Sequence, residues 1–334
     1  MLNIISDFTI NFWKTGRKTK SSPSGWISGN AVCCPHNGET LDTRGRGGIH
    51  TDPDGNISYS CFNCNFKASY QPGRHLTFKF RKLLKWLGAD DTDIKRLVIE
   101  AIRVRELVAP EAVKAEAEEE RIEFKTRDLP DDAENLIALD YVHPALEYCV
   151  ARKIDLDKYA FYATKQVQYN LHKRIIIPFI WQGQTIGYTA RAVTDGVKPK
   201  YYSHYEPNFV FNINNQLADS KFVIVCEGPF DAMSIDGVAV LNNECNETQA
   251  DIIESLGREV IVVADRDRAG AKMIANAIEY GWSVSFPVWL ETCKDINQAV
   301  VKYGKLFVLK TIIDAKQSSK LKIELMKKKL YAST

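Results

Sequence analysis

The stretch 222–232, FVIVCEGPFDA, and its echo at 260–270, VIVVADRDRAG, decide the fold. In each, a run of five apolar residues breaks off into acid: Phe222 to Cys226 ends at Glu227, and Val260 to Ala264 ends at Asp265 and Asp267. Short β-branched runs without polar alternation are the mark of strands buried on both faces, as in a parallel sheet. A helix start is legible just beyond each run. Gly228 allows the turn, Pro229 suits a first helical position, and residues 269–280 contain no proline. Ligands of an open parallel sheet bind beyond the carboxyl ends of its strands. Glu227, Asp265 and Asp267 are therefore expected on one rim, with Asp231 one turn into the first helix. Crowded carboxylates take up protons unless cations sit between them. Hard oxygen donors of this kind suit magnesium, and the matching chemistry is metal-assisted phosphoryl or nucleotidyl transfer. An acid at a strand end is also a common N-cap, which is the competing reading of either motif alone.

Four candidate strands, 222–226, 238–241, 260–264 and 283–288, make this part an open α/β sheet. Beyond the fourth, Asp295 is either a further ligand at the same rim or the N-cap of a helix running through Val301.

At 334 residues the chain has room for two or three domains, and 45% hydrophobic content is ordinary for a globular protein. The net charge of +2 hides an uneven distribution. No window holds eighteen uncharged apolar residues and no secretory signal is evident, so no membrane role and a cytoplasmic location are expected. Of eight cysteines, Cys149, Cys226, Cys245 and Cys293 are scattered, as for thiols in a reducing compartment. The other four cluster as Cys33-Cys34-Pro35-His36 and Cys61-Phe62-Asn63-Cys64, two knuckles able to close one tetrahedral zinc site. The Asp54-Gly55 turn and the alternation Ile57, Tyr59, Cys61 between them read as a zinc ribbon. Spacing favours Cys33, His36, Cys61 and Cys64 as ligands, with Cys34 as the fallback and His50 as an outsider.

Residues 1–32 read as a weakly ordered, basic lead-in. Around the knuckles, Arg44, Arg46, Lys67, Arg74, Lys79, Arg81, Lys82 and Lys85 interleave with Phe62, Phe66, Tyr70, Phe78 and Trp86, the composition of a single-strand nucleic-acid binder. Phe78, Leu83, Trp86 and Leu87 equally describe the core face of a helix. Residues 91–108 are helical by pattern, and 109–125 form an Ala/Glu-rich linker. Residues 173–180 then read as a strand returning through Gln182-Gly183 to 185–193. This pair places Gly187, Thr189 and Arg191 on one face, open to a phosphate, with Ile186, Tyr188 and Ala190 on the other. Lys173, Arg174, Arg191, Lys198, Lys200 and Tyr201 are the candidate nucleic-acid and nucleotide contacts here, as Arg44 and Arg46 are in the ribbon. The 305–334 tail is basic.

The Glu-Gly turn followed by Asp-x-Asp resembles the Toprim signature of primases, topoisomerases and some nucleases. That resemblance implies acid/base or metal chemistry for Glu227, and magnesium (or manganese) ligation by Asp265, Asp267 and, as in relatives, Asp295. The order of zinc ribbon, basic strand pair and acidic rim is similar to that of bacterial and phage DNA primases, and CCPHNGETLDTRGRGGI with SYSCFNCNF looks most like those of T-even-type bacteriophages. The implied activity is template-directed synthesis of short RNA primers on single-stranded DNA from ribonucleoside triphosphates. Arg174…Pro178…Gly187…Arg191…Lys200-Tyr201 is similar to the family's basic ridge. No GxxxxGK[ST] loop occurs, so a replicative helicase would be a separate chain. A phage-encoded protein would act in the host cytoplasm. The alternatives are a Toprim nuclease or topoisomerase-like enzyme, or a non-enzymatic zinc/Toprim recombination mediator. The expected architecture is α/β and multidomain: a zinc-ribbon template-binding domain over 1–72, a helical segment and acidic linker over 73–127, a basic α+β subdomain over 128–217, a Toprim-like parallel sheet over 218–304, and the tail over 305–334.

Overall fold

The computed structural model describes residues 4–107, 123–139, 141, 143–217, 219–266, 270–290 and 293–331. The chain divides into two compact units, Met1–Ala117 with Glu254–Arg258, and Glu118–Ile253 with Glu259–Thr334. Among the described residues no helix is long and apolar enough to cross a membrane.

The first unit contains helix α1 (Ile4–Lys14), strands β1 (Lys20–Ser21), β2 (Ile27–Gly29), β3 (Gly47–Thr51), β4 (Ile57–Cys61) and β5 (Lys67–Tyr70), and helices α2 (Phe78–Leu87) and α3 (Asp91–Leu107). The strands form one antiparallel sheet in sequence order. The start of the chain is not a loose lead-in. Ile5, Ser6, Thr9 and Trp13 recur at helical spacing and are buried, and the Trp13 indole donates to the Ile27 carbonyl at 2.9 Å. Polar residues between these positions disguise the apolar stripe. Helix α2 is capped by Thr77 and buries Phe78, Leu83 and Leu87, as its pattern predicts. Leu83, Leu97 and Ala101 share one hydrophobic cluster with Trp13, Ile49 and Tyr59. The ribbon and both helices thus fold around a common core, and a boundary at residue 72 would cut through it.

The second unit holds two sheets. The first is built from β6 (Glu134–Asn135), helix α4 (Pro144–Ala151), β7 (Tyr162–Ala163), β8 (Arg174–Trp181), β9 (Gln184–Ala192) and β10 (Tyr201–Tyr205), with strand order β10-β9-β8-β7-β6, all antiparallel. The second comprises β11 (Phe222–Cys226), α5 (Pro229–Ile235), β12 (Val238–Ala239), α6 (Glu247–Glu254), β13 (Glu259–Val262), α7 (Gly270–Tyr280), β14 (Ser283–Ser285), α8 (Ile296–Tyr303), α9 (Lys305–Asp314), β15 (Lys316–Gln317) and α10 (Lys320–Tyr331). Its order is β12-β11-β13-β14-β15, parallel through β14, with β15 antiparallel at one edge. The opposite edge strand, β12, exchanges backbone hydrogen bonds with Phe211 at Ala239. Val223, Val225, Ile261 and Val262 are buried, as unalternated strands require. The basic tail is not an appendage, since β15 extends this sheet and α10 lies against α7.

Candidate active site and zinc centre

Cys33, Cys34, Cys61 and Cys64 bring their sulfurs within 4.8 Å of one another. The Cys33–Cys64 and Cys34–Cys61 sulfur pairs are 3.3 and 3.6 Å apart. An ion bound at about 2.3 Å to four tetrahedral sulfurs separates them by roughly 3.8 Å, so this donor set fits zinc. Burial pushes the Cys34 thiol up to about 11 and raises Cys33 further, so a cation is needed to hold them as thiolates. The Asn63 amide N–H faces the Cys61 sulfur at 3.4 Å and the Asn63 side chain faces Cys34 at 3.6 Å, orienting the ligands.

His36 is not among them, which corrects the ligand choice made from spacing. The short 3-10 turn Cys34–Asn37 carries its imidazole away to stack on Trp86 at 4.7 Å and 3°. Adjacent Cys33 and Cys34 both direct sulfur into the cluster, the backbone turning at Cys33 with φ of −82° and ψ of −20°. His50 instead packs against Trp26. Arg44 is exposed, and Arg46 is tied through its guanidinium to Asn63. Buried Asp42 collects the backbone N–H groups of Ala31, Arg44 and Arg46, fixing the loop that presents both arginines.

In the second unit, Glu227 follows β11 and Asp265 follows β13, and these neighbouring parallel strands bring the two acids together. The Asp265 N–H donates to Glu227 Oε1 at 3.1 Å. Asp267 lies outside the described residues. Asp295 caps α8, accepting from the Gln298 N–H at 2.8 Å and from its side chain at 3.0 Å. Capping does not remove it from the site. Burial, followed by the charges of Asp295 and Asp265, pushes the Asp231 carboxyl up to about 8. Asp231 is buried and accepts from the Asn297 N–H at 2.8 Å. Cys226, raised first by burial, is also within electrostatic reach of Asp231, Asp265, Glu227 and Asp295. Among the described residues the cysteines are the one group whose donors all close within 4.8 Å; the acids stand further apart. Such hard donors fit a divalent cation that keeps some of its waters.

Facing these acids is a cationic cluster. Lys200 is exposed along its length, yet its ammonium is held below its ordinary range by partial desolvation, then by Arg191 and Arg152, while Asp295 and Asp265 act in the opposite sense. Arg191 donates to the Tyr201 hydroxyl at 2.6 Å and lies over Tyr201, Tyr148 and Phe230. Arg152, which sequence reasoning passed over, lies over Tyr148 at 4.6 Å and donates to Asn297 Oδ1 at 2.6 Å. Its only sequence signal was a cation just after a helix, a place normally explained by the helix dipole.

Lys173 and Lys198 are exposed. Arg174 is placed differently from a phosphate-binding residue. It is 1% exposed, and its guanidinium donates to the carbonyls of Tyr169, Ala190 and Lys200. Nor is Gly187 an open approach for phosphate, because a Cβ there would stand 2.3 Å from the His204 carbonyl of β10. With φ of +143° the residue serves strand packing.

Residues 224–300 match the Toprim-like family model. A DNA primase of Aquifex aeolicus is 24% identical over 152 residues, covering 40% of this chain and 30% of that protein. The match thus spans less than a third of that relative. Among solved structures, the zinc-binding and RNA polymerase domains of the Aquifex aeolicus primase align over 99% of this chain and 91% of that one, with TM-score 0.47 and 16% identity. The DnaG catalytic core aligns over 54% and 75%, with TM-score 0.46 and 17% identity.

Proposed function

We propose that this chain, a Toprim-containing homologue of a bacterial DNA primase, is itself a primase that makes short RNA primers on single-stranded DNA. The observation that carries the reading is the meeting of opposite charges in one unit. Glu227 and Asp265 meet beyond β11 and β13, Asn297 joins buried Asp231 to Arg152, and Arg191 lies over Phe230 next to Asp231, with Lys200 in electrostatic reach of Asp295 and Asp265. Acids alone suit a cation, and cations alone suit any polyanion. Together they suit a nucleoside triphosphate bound through a metal.

Asp265, Asp267 and Asp295 would hold magnesium or manganese, which supplies charge neutralisation on the triphosphate and the primer end. Glu227, which accepts the Asp265 N–H, would orient that residue and accept the proton of the attacking ribose hydroxyl. Lys200 and Arg191 hold phosphate oxygens, and the aromatic rings around Arg191 fix the direction of its guanidinium. The zinc unit, with Arg44 and Arg46, contacts the template. A replicative helicase acts as a separate chain. Kinship with T-even-type phage primases rests on the ribbon sequence, and a phage origin would put the protein in the host cytoplasm.

The test is incubation with single-stranded DNA, ribonucleoside triphosphates and Mg2+ or Mn2+, followed by separation of labelled products. Short RNA is expected from the native chain and none from Glu227→Gln, with single-strand binding nearly unchanged. Absence of RNA under both metals, or loss of binding in Glu227→Gln, overturns the reading.

A further inference from the structure

The C-terminal helix reaches the acidic rim. The Tyr331 hydroxyl, at the last residue of α10, donates to the main-chain carbonyl of Asp265 at 3.1 Å. Asp265 is thereby held from three directions. Its N–H is bound by Glu227 beyond β11, its carbonyl by Tyr331, and the N–H of the next residue, Arg266, by the Lys294 carbonyl at 3.1 Å. A main chain fixed at both peptide groups fixes the Cα–Cβ direction from which its carboxylate projects.

Three further observations show that this contact is built into the unit. Gly270 opens α7 directly against the same carbonyl: a Cβ there would stand 2.2 Å from the Asp265 oxygen and 3.0 Å from the Tyr331 hydroxyl. Leu330 joins Val263, Ala264, Arg266 and Asp295 in lining one small cavity behind the rim. The segment leading to α10 is anchored at its start, where β15 pairs with β14 and Lys316 grips both oxygens of Glu259 at 2.8 and 2.7 Å. Residues 316–331 thus run from one edge of the sheet to the main chain of Asp265, which α10 meets at its last residue.

We propose that Tyr331 is a positioning residue for the cation site, holding the Asp265 main chain from the last turn of α10. The inference rests on the reading of Asp265 as a metal-binding acid. Tyr331→Phe keeps the ring and removes the bond to the Asp265 carbonyl, which corresponds to about a three- to tenfold effect if that bond serves metal binding.

The experiment uses the full chain loaded with zinc and titrates Mn2+ by the loss of its free-ion paramagnetic resonance signal. Tyr331→Phe is expected to weaken Mn2+ binding about three- to tenfold, with zinc content unchanged and melting temperature lowered by no more than roughly 5 °C, and to raise the Mg2+ concentration for half-maximal primer synthesis in the same proportion. Rate at saturating metal should stay near that of the native chain. Leu325→Ser, at an exposed site on the same helix, should change neither quantity. Tyr331→Phe that binds Mn2+ like the native chain overturns the proposal, as does weakening matched by Leu325→Ser. If the native chain binds Mn2+ and Asp265→Asn does not, yet no RNA is made, the primase reading falls while the positioning role stands. Failure of Asp265→Asn to alter Mn2+ binding removes the premise and the proposal with it.

Discussion

Replacing Asp231 by Asn should stabilise the protein, and by an amount that depends on both pH and metal. Asp231 is 8% exposed, and burial together with Asp295 and Asp265 moves its carboxyl from 3.8 to about 8. The folded state therefore keeps this proton to higher pH than the unfolded chain does. The contribution is complete below about pH 4 and is lost as pH rises toward about 8. At about 1.4 kcal/mol per tenfold, the loss by pH 7 amounts to at most about 4 kcal/mol. Asn keeps an acceptor for the Asn297 N–H and has no charge to bury. In a chelator, Asp231→Asn should match the native protein near pH 4.5 and exceed it increasingly up to pH 8. For a domain of this size the gain reaches roughly 8–15 °C in melting temperature. A divalent cation among the carboxylates removes the repulsion, so added Mg2+ should shrink or reverse the difference. Scanning calorimetry at three pH values, with EDTA and with Mg2+, reads all of this. A variant no more stable than the native chain at pH 8 in EDTA would falsify the claim that these acids are crowded.

Three other outcomes are expected. Cys34→Ser should drop bound zinc well below one per chain while His36→Ala retains it, measured by metal analysis after desalting. Chelating zinc should melt the first unit and leave the near-ultraviolet signature and melting of the second largely intact; joint melting would mean that the two units are not independent. Gly187→Ala should cost at least about 2 kcal/mol in urea unfolding, because backbone rather than a flexible side chain occupies the Cβ position.

The parallel sheet was legible because unalternated apolar runs have few other uses, and 222–226 is a strand over just those residues. The runs overshot where backbone left the sheet before apolarity ended: 283–288 shortens to Ser283–Ser285, and 238–241 to Val238–Ala239. The knuckles were visible as a pair, but spacing alone favoured a histidine that the turn geometry carries elsewhere. Three features had little local signal. Helix α1 is a buried stripe with Ser6 and Thr9 in it, Arg174 looks like any basic residue until its carbonyl partners surround it, and β15 is too short for any pattern. Each depends on contacts between residues distant in sequence.

The two edge strands of the Toprim-like sheet are only two residues long, Lys316–Gln317 on one side and Val238–Ala239, bridged by Phe211, on the other. Exposed ladder edges invite foreign strands. Edges this short offer a visiting strand little main chain to pair with, so the sheet is poorly disposed to recruit foreign strands.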